Sequence, residues 1–227
     1  MPLSAELSTL GKKSELVGTN LQSKFRSDYR LNFIWKGVQA LVGGELKNKT
    51  VLDIACNWGG FSVEGSLRGA RMTAFDIRAD NITKAQALTD HFGINNIDFG
   101  VSDLHDYPSK NQFDIVLNLG LMYHVSQPFE AMKKTYELTG EFAVIDTALH
   151  REPFSGFILG RGLLAAEHAT TATGIELHPT YRALIDLAYL VGFKRVVELK
   201  GLPNKEWTGF PTDLYGNGTR RCIVAFK

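Results

Sequence analysis

The 227-residue sequence is poor in cysteine and has no long apolar run. Its two cysteines, Cys56 and Cys222, are too few for a four-cysteine zinc site or an iron–sulfur cluster made by this chain alone. Both lie in apolar stretches, which favours buried free thiols in a reducing compartment. No apolar run reaches the roughly 18 residues that cross a bilayer, and no basic, then apolar, secretory signal opens the chain. We therefore expect a cytoplasmic protein without a membrane segment.

An excess of charge of one sign is also missing. The 25 lysines and arginines balance 24 aspartates and glutamates, which leaves a formal net charge of +1. This balance gives no electrostatic argument for nucleic acid or an anionic membrane as the partner. Outside one histidine discussed below, the histidines show no mutual metal-ligand spacing, and we expect no metal site. These are His91, His105, His150, His168 and His178.

The middle of the chain alternates between two hydrophobic periodicities. Strands are predicted at 50–55, 71–76, 97–101, 113–119 and 141–147, and helices between them at 60–70, 80–93 and 128–140. A helix is predicted at 28–42 before this region, and a helix at 178–193 and strands at 194–201 and 220–227 after it. The alternation predicts an α/β fold, a doubly wound sheet of seven strands that is mostly parallel and ends in an antiparallel β-hairpin.

The pattern also suggests how the chain is organised. Residues 1–45 are predicted to form an N-terminal helical cap and residues 46–227 the core domain. A Gly- and Ala-rich stretch at about 150–177 predicts a helical insert with a loop. The turn-rich segment 202–218 carries Trp207, Phe210 and Tyr215. The insert and this segment are candidates for a lid over a substrate, with plain scaffold packing as the alternative.

Polar residues mark the ends of several predicted strands. In open α/β sheets, ligands bind beyond the carboxyl ends of the strands. The residues at these ends are Asp53 with the turn 55–60, Asp76, Ser102 with Asp103, and Asn118. Packing alone does not require one polar residue at each end, so we expect a ligand site there.

The turn after the first strand is a weakened nucleotide-binding sequence. A dinucleotide site would have the signature G-x-G-x-x-G, and the corresponding positions here are Ala55, Asn57 and Gly59. The sequence contains no P-loop signature. Asp76 lies seventeen positions after Gly59, where an acidic residue can accept both hydroxyls of a ribose. The alternative role for Asp76 is a helix cap, for which Asp80 is better placed. A ligand ammonium beside Asp53, a ribose and no phosphate together describe S-adenosylmethionine.

Five segments in order carry a family resemblance. They read VLDIACNWGGFS, TAFDIRADNITKAQ, VSDL, FDIVLNLGLMYHVSQP and GEFAVIDT. Together they resemble the motifs of class I S-adenosylmethionine-dependent methyltransferases over roughly residues 50–150, and the tail 178–227 is similar to the family's closing helix and hairpin. The resemblance implies a Rossmann-like fold and S-adenosylmethionine as cofactor.

The resemblance also implies roles for single residues. Asp53 and the turn from Ala55 to Gly59 would hold the methionine part, with Trp58 along the cofactor. Asp76 would hold the ribose. The remaining implied contacts are Ile77, Asp103 and Leu104 at the adenine, and Asn118 and Leu119 at the methionyl side. Ala55 and Asn57 depart from glycines common in the family, and Asn57 can still adopt the left-handed conformation and bind the cofactor through its amide.

The segment LGLMYHVSQP resembles a subgroup that includes transferases of the tRNA wobble uridine and small-molecule methyltransferases. It places Tyr123 and His124 just past the fourth strand, where an acceptor would lie. His124 is a candidate general base because imidazole titrates near neutral pH. The alternative is that His124 orders the loop or lines the pocket, and Tyr123 is better suited to the pocket wall.

We therefore expect methyl transfer to a small-molecule acceptor through an O or N nucleophile. An RNA- or tRNA-modifying transferase is the first alternative, and it is disfavoured by the balanced charge. A non-catalytic module that binds S-adenosylmethionine is the second. A nicotinamide oxidoreductase would need an intact glycine signature or a Tyr followed by Lys four positions later, and the chain has neither. The sequence indicates no oligomeric state.

Overall fold

A computed structural model describes residues 28–108, 110–161, 174–200 and 212–227. The helices within these ranges are α1 (Asp28–Leu41), α2 (Gly60–Leu67), α3 (Ala79–Phe92), α4 (Pro128–Leu138), α5 (Tyr181–Val191) and α6 (Thr212–Gly216). The strands are β1 (Thr50–Ile54), β2 (Arg71–Asp76), β3 (Ile97–Val101), β4 (Phe113–Leu119), β5 (Thr139–Ala148), β6 (Phe157–Arg161), β7 (Ile175–Pro179), β8 (Arg195–Glu198) and β9 (Arg220–Phe226).

The predicted seven-stranded sheet is confirmed. Its strand order is β3-β2-β1-β4-β5-β9-β8, in which β1 to β5 run parallel and β9 runs antiparallel to both β5 and β8. The chain leaves β1 in one direction for β2 and β3, and in the other direction for β4 and β5. The order therefore reverses between β1 and β4, which opens a crevice at their carboxyl ends.

Alternating side chains build a core on each face of the sheet. Leu52 and Ile54 of β1 pack on one face, in a cluster that includes Met132 of α4 and Leu184 of α5. Val51 points to the opposite face, where a second core cluster contains residues of helix α1 and of several strands. These are Ile34, Trp35 and Val38 from α1, with Met72, Ile115, Leu117 and Val224 from the strands. Helices therefore cover both faces, which is why the central strands β1 and β4 are mostly apolar and buried.

Helix α1 belongs to this core through one stripe of its surface. Ile34, Trp35 and Val38 are fully buried, and the Trp35 indole donates to the carbonyl of Phe61 at 3.2 Å. Leu41, the last residue of the helix, is 40% exposed. Gly43 and Gly44 follow with positive φ angles of 79° and 105°, which suit the end of a helix.

The predicted helical character of the insert at 150–177 is wrong for its described ends. Strands β6 and β7 pair there as an antiparallel two-stranded sheet, with Phe157 opposite Pro179 and Arg161 opposite Ile175. Apolar and β-branched residues in Phe157–Arg161 and Ile175–Pro179 suit a strand, and the Gly and Ala content hid them. Residues 162–173, which include His168, lie outside the described residues.

Smaller corrections concern helix α4 and two further segments. Helix α4 ends at Leu138, and β5 begins at once with Thr139, a β-branched residue that favours strands. The helix therefore stops two residues before the predicted end at 140. The loose arm predicted at 1–24 and most of the 202–218 segment, with Trp207 and Phe210, lie outside the described residues. No described helix has the length and apolarity to cross a membrane.

We predict that Gly65→Ala destabilises the protein through the contact between α1 and α2. An added Cβ would lie 2.5 Å from Cζ2 of Trp35 and 2.7 Å from Sδ of Met72, both buried. Overpacking of this kind costs about 1–3 kcal/mol, which exceeds the gain of up to about 1 kcal/mol from replacing a helical glycine. Urea unfolding should show a lower midpoint.

Gly100→Ala is the matched control, because a Cβ at that exposed strand position meets nothing within 4 Å. Its urea midpoint should equal or exceed that of the wild-type protein. A Gly65→Ala midpoint as high as that of Gly100→Ala would show that Trp35 and Met72 are free to move aside.

Candidate functional site

The sheet brings four polar side chains to one edge. Asp53, Asp76, Asn118 and Asp146 lie near the carboxyl ends of β1, β2, β4 and β5, which are neighbours in the sheet. The pairing of Ile54 with Asn118 shows that β1 and β4 end at the same level. Three of the predicted strand-end residues, Asp53, Asp76 and Asn118, therefore lie at one edge of the sheet, around the point where the strand order reverses.

The turn after β1 has an unusual backbone. Ala55, Asn57 and Gly59 have φ angles of 54°, 54° and 75°, so every second residue is left-handed. The expectation for Asn57 is met, and Ala55 carries the same conformation although it has a Cβ. A left-handed non-glycine residue costs on the order of 1–3 kcal/mol, so surrounding contacts must hold the turn in place.

Gly59 is required by packing as well as by its φ angle. A Cβ there would lie 3.0 Å from Cβ of Ala85 and 3.2 Å from the ring of Phe99. Helix α2 follows immediately, and the amide of Val63 donates to the carbonyl of Gly59 at 2.8 Å. The close approach therefore joins the turn to α3 and β3, which fixes the floor of the crevice.

Asp53 is a buried carboxyl directly below this turn. It is 2% exposed, and its Oδ2 accepts a hydrogen bond from the Ser62 hydroxyl at 2.6 Å. Burial raises its pKa to about 7, against the lowering effects of the Ser62 hydroxyl and of the Arg30 charge. The group therefore titrates near neutral pH, where a cation placed beside it would ionise it.

Asp76 braces the turn from the second strand. Its Oδ2 accepts from the amide of Asn57 at 2.9 Å, and its Oδ1 accepts from the amide of Arg78 and from Nδ2 of Asn81, each at 3.0 Å. Each carboxylate oxygen has two acceptor positions, so Oδ2 keeps one beyond Asn57. This acceptor position is compatible with the ribose role, which stays a prediction.

The expectation that Asp80 caps α3 is wrong. Arg78 occupies the N-cap position, and Asp80 lies in the first turn, where its carboxylate pairs with Lys84 at 3.2 Å. The Asp76 carboxylate accepts a hydrogen bond from the amide of Arg78 and so satisfies a backbone donor at the start of α3. Asp80 is the second residue of α3 and lies inside the helix, so it does not occupy the N-cap position.

The residues predicted at the adenine differ in what they offer. Ile77 exposes 55% of its surface and so presents an apolar side chain. Leu104 is buried in the core, and Asp103 accepts from the amide of His105 at 2.8 Å, so the carboxylate shapes its own turn. The Trp58 indole donates to Oδ1 of Asn81 at 3.0 Å, with Lys84 above its ring. Their cofactor contacts stay predictions.

The side chain of Asn118 is bound below the edge. It is fully buried, and its Nδ2 donates to the Thr135 hydroxyl of α4 at 3.0 Å. Within the described ranges its Oδ1 has no hydrogen-bond partner. Leu119, the next residue, is half-buried and packs against the core cluster that contains Trp35 of α1. The predicted methionyl contacts of these two residues are not tested by this arrangement.

A second buried carboxylate lies at the end of β5, and the sequence reading missed it. Asp146 accepts from Nε of Arg30 and Nε of Arg220, each at 2.8 Å, and from the Tyr215 hydroxyl. Burial would raise its pKa, but the charges of Arg30 and Arg220 hold the pKa below its ordinary value. The signal was available, because Asp146 interrupts the apolar run of β5 as Asp53 interrupts that of β1.

Tyr123 and His124 lie in the loop between β4 and α4, against strand β7. The amide of Leu177 donates to the carbonyl of Tyr123 at 2.9 Å. Nδ1 of His124 lies 3.4 Å from Oε1 of Glu176, whose Oε2 lies 2.9 Å from Nε2 of His178. Burial lowers the pKa of His124 to about 4, so the imidazole is neutral at pH 7. Glu176 and the position of His178 were not predicted.

The remaining candidate residues are His150 and the two cysteines. His150 is exposed, and its backbone bridges to Thr180. Both cysteines are buried free thiols, and burial raises the pKa of each. Among the described residues, no three His, Cys, Asp or Glu side chains are arranged to hold a metal ion. The candidate site thus combines a left-handed turn above one titratable carboxyl with a neutral imidazole in the loop after β4.

The sequence is similar to known methyltransferases. Residues 51–140 match a family model described as a methyltransferase domain. The chain is 31% identical over 141 residues to a tRNA U34 carboxymethyltransferase of Helicobacter pylori (strain Shi470), covering 58% of this chain and 52% of that protein. It is 27% identical over 111 residues to a ubiquinone biosynthesis O-methyltransferase of Klebsiella pneumoniae, covering 48% and 46%. The chain spans about half the length of these curated relatives.

Solved structures share the fold at low sequence identity. The N-terminal domain of EvdMO1, crystallised in the presence of SAH and D-fucose, matches with a TM-score of 0.65 at 15% identity, covering 88% of this chain and 83% of that one. Magnesium protoporphyrin IX methyltransferase from Synechocystis PCC 6803, with bound SAM, matches with a TM-score of 0.63 at 13% identity, covering 100% and 92%. The matched domain, together with the fold that these solved structures share with the chain, supports the expected class I S-adenosylmethionine-dependent methyltransferase.

Proposed function

We propose that this protein transfers a methyl group from S-adenosylmethionine to an oxygen or nitrogen of a small-molecule acceptor. The observation that carries the proposal is the buried carboxyl of Asp53, with its pKa near 7, below the left-handed turn 55–59. A cationic amino acid moiety is the ligand that such a carboxyl rewards, since ionisation and binding then support each other. Asp76, one strand further, suits a ribose at the other end of the ligand.

The residues of the site fit that cofactor without a phosphate. The turn places backbone amides at the start of α2, and Asp53 lies beneath them as the only acidic group that β1 contributes. The half-exposed Ile77 lies beyond Asp76, on the side where an adenine would follow the ribose. Asp53 and Asp76 lie on neighbouring strands, which supports an order of amino acid, ribose and base along this edge.

The chemistry needed from the protein is modest. S-adenosylmethionine, when bound, supplies a methyl group already activated on a sulfonium. Alignment and exclusion of water can contribute about 7–11 kcal/mol, and in this proposal the carboxyl ends of β1 and β4 would hold both partners. As the carbon–sulfur bond breaks and the new carbon–oxygen or carbon–nitrogen bond forms, the acceptor loses a proton. We assign the acceptance of that proton to His124, whose imidazole is neutral at pH 7.

A transferase acting on tRNA is the second candidate, and one relative supports it by name. The net charge of +1 opposes it, because phosphate contacts favour a basic surface. The two candidates differ in acceptor and share the cofactor site. A screen with both acceptor classes therefore separates them.

We predict that Asp76→Ala weakens binding of S-adenosylhomocysteine more than tenfold, measured by calorimetric titration. A second comparison shows whether the ribose causes this loss. The wild-type protein should bind an analogue without ribose hydroxyls more weakly than S-adenosylhomocysteine, whereas Asp76→Ala should bind the two equally. Asp80→Ala is the matched control, since Asp80 is an exposed carboxylate one turn away that pairs only with its own helix neighbour Lys84 in the described contacts. Equal discrimination by the wild type and Asp76→Ala would remove Asp76 from the ribose site.

We predict that cofactor binding releases most of one proton at pH 6.5. Below its pKa of about 7, Asp53 is largely protonated in the free protein, and a ligand ammonium lowers that pKa. Titrations of S-adenosylmethionine in buffers of different ionisation enthalpy measure the release. Asp53→Asn should bind without it. A wild-type binding enthalpy that is the same in every buffer would contradict the placement of the ammonium beside Asp53.

We predict that His124→Gln lowers the turnover number while cofactor affinity stays within twofold of wild type. A general base contributes roughly 10²–10⁴-fold, so the turnover number should fall by at least tenfold. Transfer of radiolabelled methyl groups to metabolite and RNA fractions identifies the acceptor and then measures the rate. His150→Gln, at an exposed histidine outside the loop, is the control. Unchanged turnover in His124→Gln would make His124 part of the pocket wall.

A further inference from the structure

Strand β7 carries two polar side chains toward the loop that holds His124. Glu176 and His178 are two positions apart, so they point to the same side of the strand. The hydrogen bond from the amide of Leu177, between them, to the carbonyl of Tyr123 fixes the strand against the loop at 2.9 Å. Backbone pairing therefore brings the Glu176 side chain within reach of His124.

The Glu176 carboxylate lies between two imidazoles. Its Oε1 is 3.4 Å from Nδ1 of His124 and its Oε2 is 2.9 Å from Nε2 of His178. The side chains of Glu176 and His124 are only 16% and 15% exposed. The ring of Tyr123 packs on both imidazoles, with centroid distances of 3.8 Å to His124 and 5.3 Å to His178. The group is thus packed on several sides and shielded from water.

Nδ1 of His124 is buried, and no described residue makes a hydrogen bond of ordinary length and geometry with it. A buried N–H or ring nitrogen without a partner is costly, on the order of 1–3 kcal/mol. The Glu176 oxygen at 3.4 Å needs to approach by only a few tenths of an ångström to reach the usual N–H···O range. The nitrogen that pairs with a carboxylate must carry the proton, because an ionised carboxylate only accepts.

We propose that Glu176 is a positioning residue that accepts a hydrogen bond from Nδ1 of His124 and so leaves Nε2 of His124 unprotonated toward the methyl acceptor. The inference rests on the proposed function for its catalytic meaning, and it assigns a role to the β6–β7 hairpin. This hairpin completes the acceptor side of the site with a residue more than fifty positions away from His124 in the chain.

The charges around His124 come from several elements. Glu176 from β7 is the main group that favours the protonated imidazole, whereas His178 of the same strand, Arg220 of β9 and Arg78 after β2 oppose it. Arg78 and Arg220 belong to different ends of the sheet order, so His124 lies along the carboxyl edge between them. Removal of the Glu176 charge therefore leaves burial and three opposing groups, and the pKa of His124 falls further.

The test is the tautomer of His124, read from two-bond nitrogen–proton correlations of the ¹⁵N-histidine-labelled protein at pH 7. We expect the Nδ1–H tautomer in the wild type and its loss in Glu176→Leu. Glu176→Gln keeps a carbonyl acceptor without the charge, so it should keep that tautomer while the pH at which His124 titrates falls by about one pH unit. His178→Gln is the control and should retain the wild-type tautomer.

The kinetic readout follows with the acceptor found in the methyl-transfer screen. Glu176→Leu should lower the turnover number at least tenfold without changing the affinity for S-adenosylhomocysteine, and Glu176→Gln should retain more activity than Glu176→Leu. An Nε2–H tautomer in the wild type, or the same tautomer in Glu176→Leu, overturns the proposal. A protein with the expected tautomer but without affinity for S-adenosylmethionine would instead overturn the proposed function and the catalytic meaning of this contact.

Discussion

Burial of charge at the carboxyl edge of the sheet is the constraint that organises this protein. Asp53 and Asp146 end two strands that are separated by β4, and the guanidinium of Arg30 from helix α1 acts on both. Breaking a buried ion pair by removing one partner typically costs about 3–5 kcal/mol, because a charge is left alone. Arg30 therefore fixes α1 over the edge, and the α1 stripe of Ile34, Trp35 and Val38 extends the core beneath it.

The fold was largely predictable because two periodicities dominate the sequence. The central strand β4 is a mostly apolar run that is buried on both faces, and β2, β3 and β4 begin and end at the predicted residues. The insert was mispredicted because its sequence is short and rich in small residues, and because the pairing of Phe157–Arg161 with Ile175–Pro179 spans the intervening residues. Local composition carries no signal for such pairing, whereas tertiary contacts decide it.

The site was predictable to the extent that single strand ends define it. Asp53, Asp76 and the turn 55–59 follow from one strand and the next, so their places could be inferred from the order of elements. The hydrogen-bond partners of Asp53 and Asp76 could not be inferred in this way. Ser62 below Asp53, and Asn57, Arg78 and Asn81 around Asp76, are chosen by local backbone geometry. Contacts between distant segments, such as Arg30 and Arg220 with Asp146, depend on packing that no local pattern encodes.

The two titratable groups of the crevice have exchanged the order of proton affinity that they have in water. The pKa of the Asp53 carboxyl lies near 7 and that of the His124 imidazole near 4, because burial disfavours the charged form of each. At neutral pH the free site thus holds an imidazole without a proton and a carboxyl that is partly protonated. Pairs of groups whose pKa values are pushed apart mark acid and base roles. In the proposed function, a cationic ligand beside Asp53 would ionise that carboxyl, whereas the His124 imidazole would stay neutral at the same pH.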